Sequence, residues 1–129
     1  MIVLDENISE RDAAELQRQG VRCRRIGTDL GHRGMDDQND IVPLLHRLHQ
    51  PTFFTNDVHF YMPALRHAGY CLVMLDVPAL QVTTYIRRFL RHPEFRTAAQ
   101  RMGCVARVSP SGIAIWHRGA QQEQHANWE

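Results

Sequence analysis

The 129-residue chain contains no lysine; its 15 basic residues are all arginines. That absence excludes a P-loop, which needs the lysine that reaches the terminal phosphates, and a phosphoacceptor receiver domain, whose acidic pocket also requires one. Cysteine is scarce. Cys23, Cys71 and Cys104 stand singly among aliphatic residues and are odd in number, so no disulfide and no zinc site are expected, and the thiols are predicted to be reduced and buried. No apolar run approaches the roughly 18 residues of a membrane span, and the Met1–Glu6 start lacks the basic-then-apolar order of a signal peptide. The expectation is a cytoplasmic chain with no membrane partner.

Hydrophobic residues at 43% and charged residues at 22% are ordinary globular values, which excludes wholesale disorder, collagen and coiled coil. The length suits one domain, expected over residues 1–118, followed by a polar, flexible tail over 119–129. Net charge is only +1, but it is unevenly spread. Residues 1–65 hold 10 acids against 7 arginines and residues 66–129 hold 4 against 8, so the chain is acidic first and basic later.

Ile2-Val3-Leu4 reads as a short buried strand ending on Asp5-Glu6-Asn7. Ser9 as N-cap and Gly20 as stop bracket a helix over about 9–19. A strand over 21–26 and a loop over 27–38 follow. Pro43 places the start of the next helix near Asn39 or Asp40. Thr52–Thr55 is a strand that runs on to Asp57, 61–67 a short helix, and Tyr70–Leu75 the clearest buried strand. Leu80–Arg91 is an amphipathic helix, 94–102 another short helix, and 105–108 with 113–116 a hairpin around Pro110-Ser111-Gly112. Alternating strands and helices predict an α/β fold with a mostly parallel central sheet, helices on both faces and a C-terminal β-hairpin. Phe53, Phe54, Tyr70 and Phe89 are predicted core.

Ligands of open parallel sheets bind at the carboxyl ends of the strands, where this reading places Asp5 and Asp57, with the acids after the second strand on the same rim. Carboxylates gathered on one edge repel one another unless a cation intervenes, and hard oxygen donors suit Mg²⁺ or Mn²⁺. Phosphodiester hydrolysis is the reaction such a site best supports, because one or two ions, about 3.5–4 Å apart when paired, activate a water and stabilise the attacking and leaving oxygens.

Leu4-Asp5-Glu6-Asn7-Ile8-Ser9, then Gly34 with Asp36-Asp37 before an apolar helix, then Thr55-Asn56-Asp57-Val58-His59-Phe60 after a strand together resemble the PIN-like domains, specifically the small group with a Leu-x-Asp-Glu-Asn start. The resemblance spans residues 1–60. It implies a three-layer PIN-like fold, Mg²⁺- or Mn²⁺-dependent ribonuclease chemistry, and relatives that are toxins of toxin–antitoxin pairs, hence RNA as substrate and an antitoxin protein as partner. By motif, Asp5 is the first acid, Asp57 the acid after the threonine, and Thr55 the residue that orients the site. One of Asp36, Asp37 or Asp40 supplies the middle acid, with Asp37 taken as catalytic. Glu6, Asn7 and His59 are supporting candidates. His59 stands where relatives carry a second aspartate, so it is read as a ligand for a softer metal, a phosphate contact, an acid or base, or the mark of a weakened site.

Arg33 beside the acidic loop is expected to contact substrate. Arg87, Arg88 and Arg91 are either the solvated face of a helix or contacts to RNA phosphates. The sequence therefore supports a metal-dependent endoribonuclease, with a PIN-like module that binds RNA or protein without cutting as the alternative. A homodimer is the expected assembly. A haloacid-type phosphatase is disfavoured, since Asp5-Glu6-Asn7 lacks the Asp-x-Asp pair.

Overall fold

The computed structural model describes residues 1–35 and 37–129, without the side chain of Asp37. Seven strands form one sheet: β1 (Ile2–Leu4), β2 (Cys23–Arg25), β3 (Thr52–Thr55), β4 (Cys71–Leu75), β5 (Val105–Ser109), β6 (Gly112–Trp116) and β7 (Gln124–Ala126). Their order is β2-β1-β3-β4-β5-β6-β7. Pairings from β2 to β5 are parallel and the last two are antiparallel. The helices are α1 (Glu10–Arg18), α2 (Asp37–His46), α3 (Val82–Arg91) and the single turn α4 (Ala98–Arg101). The chain is thus α/β with a mostly parallel sheet.

Alternate strand residues point to opposite faces, and this divides the core in two. Leu4, Phe54 and Val73 pack with Leu16 of α1 and Ile86 and Phe89 of α3. Val3, Phe53 and Leu72 pack with Ile41 and Leu45 of α2 on the other face. All four aromatics predicted as core are buried. Phe89 stacks on Phe95 with centroids 4.7 Å apart and meets Phe54 edge-on at 5.8 Å. Phe89→Ala is expected to cost about 3–5 kcal/mol, read from the urea midpoint; a loss below about 1 kcal/mol would show that α3 is not seated there.

Helix α1 begins as expected, with Ser9 Oγ accepting from the Asp12 N–H at 3.0 Å. Helix α2 does not: it starts at Asp37, and Pro43 lies inside it. Proline has no N–H to donate, and burial of Ile41 and Leu45 on either side of it offsets the missing bond. The expected helices over 61–67 and 94–102 reduce to a 3₁₀ turn at Pro63–Leu65 and to α4. The cysteines are free. Burial pushes the Cys104 thiol up to about 11 and Cys71 well above its ordinary value, while Cys23 is only half-buried.

The segment after Gly119 is not the loose tail that its polarity predicted. β7 pairs with β6 from Gln124 to Ala126. Arg66 Nη1 donates to the carbonyls of His117 (2.6 Å) and Ala120 (2.8 Å). Trp128 Nε1 donates to Ser109 O at 2.8 Å, and the Arg88 guanidinium lies 4.5 Å above the Trp128 ring. No helix among the described residues is long and apolar enough to cross a membrane.

Candidate active site

Strand β1 has β2 on one side and β3 on the other. Helix α1, which leads out of β1 to β2, packs on one face, and α2, which returns past β1 to β3, packs on the other. The loops after β1 and β3 therefore part company at their carboxyl ends and leave a crevice, the position where open parallel sheets bind ligands.

Asp5 occupies that crevice. Its N–H donates to Phe54 O at 2.9 Å, which continues the sheet one residue and leaves the residue only 6% exposed. Oδ2 accepts from Thr55 Oγ1 at 2.6 Å and Oδ1 from the Glu6 N–H at 2.7 Å. Thr55 Oγ1 in turn accepts from the Asp57 N–H (3.0 Å) and from Asn7 Nδ2 (3.3 Å). One hydroxyl thus ties the loop after β1 to the loop after β3. Asn7 Oδ1 and its carbonyl each accept from Asn56, both at 3.2 Å, which completes the link.

Burial pushes the Asp5 carboxyl above its usual range; the Thr55 and Glu6 hydrogen bonds oppose this, and the charges of Asp57 and Glu6 add to it. Among the described residues no cationic side chain pairs with Asp5. Asp57 is half-buried at the start of the 3₁₀ turn Val58–Phe60. Its Oδ1 accepts from the His59 N–H at 2.9 Å and lies 2.8 Å from His59 Nδ1. A carboxylate can only accept, so Nδ1 carries the hydrogen and Nε2 is left as the free ring nitrogen. Asp5, Asp57, Glu6, Asn7, Met35, Ile41 and Phe60 line an open groove of about 360 Å³.

Glu6 reaches across the rim to the loop after β2. Its Oε1 accepts from the Gly34 N–H at 2.9 Å, so it holds the loop after β2 across the rim. Arg25, the last residue of β2, braces the same region. Its Nε and Nη2 donate to the carbonyls of Ile8 and Glu6, both at 2.7 Å, and Nη1 to Thr28 Oγ1 at 3.0 Å. Register with Leu4 puts this arginine beside the loop after β1, a placement that only strand pairing specifies.

Gly27 closes this arrangement. Its φ is +90°, and a Cβ there would lie 2.8 Å from Glu6 Oε2. At Gly20, where φ is +87°, a Cβ would meet nothing within 4 Å. Both Gly→Ala changes carry the backbone cost of about 1 kcal/mol, but only Gly27→Ala must displace the Glu6 carboxylate. Faster amide exchange at Gly34 is therefore expected in Gly27→Ala and not in Gly20→Ala. Equal exchange in the two variants would show that Glu6 does not hold the loop.

The other candidates are placed as follows. Asp36 lies outside the described residues. Asp37 opens α2, and Asp40 is exposed one turn later. Among the described residues no three His, Cys, Asp or Glu side chains gather closely enough to hold a metal ion, so Asp40, Glu6 and His59 do not complete a ligand set with Asp5 and Asp57. Arg33 is exposed next to Gly34, at the Glu6 end of the groove. Arg88 is stacked between Tyr85 and Trp128, Arg87 lies near Glu15, and Arg91 is exposed in the last turn of α3; among the described residues no hydrogen bond or ion pair joins any of the three to the loops carrying Asp5 and Asp57. Neither a protein-family model, nor a curated protein, nor a solved structure matches the chain.

Proposed function

We propose that the protein is a PIN-like, Mg²⁺- or Mn²⁺-dependent endoribonuclease, with Asp5 and Asp57 as metal ligands and Asp37 or Asp36 as the third. The observation that carries this reading is the carboxylate of Asp5: buried, unpaired with any cation among the described residues, and close enough to feel the charge of Asp57. An ionised carboxylate in such surroundings is costly unless a cation neutralises it. The donor set fits a hard ion. Asp57 Oδ2 has no hydrogen-bond partner among the described residues, and both oxygens of Asp5 keep a lone pair after their single bonds.

An ion held there would supply charge neutralisation and polarisation of the phosphate and the attacking water. The chain's own residues do the rest. Thr55 fixes the Asp5 rotamer, the Asn7–Asn56 link keeps the two acid loops in register, and Arg33 stands where a phosphate on the groove can be met. The reading extends to a toxin restrained by an antitoxin protein.

Single-stranded RNA of mixed sequence is expected to be cut in Mn²⁺ or Mg²⁺ and left intact in excess chelator, with calorimetry giving a binding isotherm for Mn²⁺. Absence of both binding and cleavage would remove the nuclease reading. It would favour a PIN-like module that binds RNA or protein without cutting, a second reading for which the engagement of Asp57 Oδ1 by His59 is the supporting observation.

A further inference from the structure

A second and larger cavity, about 670 Å³, opens beside the acid groove between α1 and the segment from Asp76 to Thr83. It falls within the roughly 300–1,000 Å³ of small-molecule sites. Asn7 and Asn56 form its wall on the side of the acids. They are the pair whose hydrogen bonds join the two acid loops, and Asn56 adjoins Asp57 in the chain, about 3.8 Å away between Cα atoms. The two spaces are neighbours along one continuous surface.

Three side chains at this cleft, Arg11, Asp76 and Leu80, are unspent among the described residues. Arg11 is exposed, and its guanidinium has no partner among the described residues, whereas Arg18 is taken up by Glu15. Asp76 follows β4; its N–H is used on Val108 O at 2.8 Å, but its exposed carboxylate accepts nothing among the described residues. Leu80 is 91% exposed, the most exposed of the large hydrophobic side chains. A cation, an acceptor and an open apolar surface thus surround a cavity next to the acid pair.

We infer that this cleft is a nucleobase subsite for the ribonucleotide adjoining the phosphate held at Asp5 and Asp57, an inference that rests on the nuclease reading. Leu80 offers the apolar contact for a base face, Arg11 the charge for the flanking phosphate, and Asp76 an acceptor for an exocyclic amino group. A carboxylate accepts from the amino group of cytosine and finds no such donor on the O4 edge of uracil. The subsite therefore selects amino-bearing bases over uracil.

The test is a methyl NMR titration of the wild-type protein with dinucleotides in chelator, which withholds the ion that cleavage needs. Cytidylyl-cytidine is expected to shift the methyl signals of Leu80 and Val77 and to bind about tenfold more tightly than uridylyl-uridine. Arg11→Ala is expected to weaken binding about tenfold, and Asp76→Asn to narrow the gap between the two dinucleotides, with Mn²⁺ affinity unchanged in both variants. Unshifted methyls, or equal affinity for the two dinucleotides, would overturn the subsite. Cleavage of RNA with those methyls unshifted would overturn the subsite alone. Intact dinucleotide selectivity in a protein that neither binds Mn²⁺ nor cuts RNA would uphold the subsite and remove the nuclease reading.

Discussion

Asp5→Asn is expected to lower metal-dependent RNA cleavage by on the order of 10³-fold, because loss of one ligand carboxylate removes several kcal/mol of charge stabilisation and each 1.4 kcal/mol is a factor of ten. The amide keeps the shape of the carboxylate and an oxygen to accept from Thr55, so the Thr55 hydroxyl and the links to Asn7 and Asp57 stay satisfied, and the Glu6 N–H alone loses its acceptor, because it then faces the amide NH2. Stability should move in the opposite direction to activity. Burial raises the folded-state pKa of Asp5, so the folded chain holds this proton more tightly than the unfolded chain does. What protonated Asp5 contributes is fully present below the ordinary carboxylate range and is lost as pH rises through that range toward the raised value.

At neutral pH without metal, Asp5→Asn should therefore melt above the wild type, with the difference closing toward acid. Saturating Mn²⁺ reverses the order: ligand at a hundredfold excess over its dissociation constant stabilises by about 2.7 kcal/mol, and only the wild type gains it. A variant that melts below the wild type at neutral pH without metal, or that gains equally from Mn²⁺, would show that Asp5 is a structural cap and not a ligand.

The second large effect concerns the end of the chain. A variant ending at Arg118 is expected to lose about 3 kcal/mol or more of stability, which for a domain of this size lowers the melting temperature by about 10 °C. The deletion removes β7 and exposes Ile113, Ala114 and Ile115 along β6. It also takes the Trp128 indole from Ser109 O, leaves Arg88 with Tyr85 as its remaining ring and leaves Tyr61 without Glu123. Arg66 keeps its bond to His117 O but loses Ala120 O. An unchanged melting temperature would mean that residues 119–129 contribute nothing to the fold. Trp128→Ala separates the contributions, since it removes the indole contacts and leaves the β6–β7 ladder in place.

Local cues in the chain and contacts between distant segments account for different parts of the fold and of the site. The strands β1, β3 and β4 and the positions of Asp5 and Asp57 at strand ends were legible, because a short apolar run stopped by a polar residue is a local signal and parallel strands all present their carboxyl ends to one rim. The Ser9 cap and the amphipathic α3 were legible for the same reason: their cues lie within a single turn or a single helix.

The start of α2 was misread, since a local rule about Pro43 was outweighed by burial of Ile41 and Leu45 against strands that meet them only in the folded chain. β7 was missed because its residues are polar and it is itself the edge strand of the sheet, with one side of its ladder facing water. The commitment of Glu6 to Gly34, the bracing by Arg25, the seat of Arg88 beneath Trp128 and the cleft between Arg11 and Leu80 all join segments 17 to 69 residues apart. No periodicity or spacing encodes such contacts. They follow from strand order, and strand order follows from which faces of α1, α2 and α3 the two halves of the core bury.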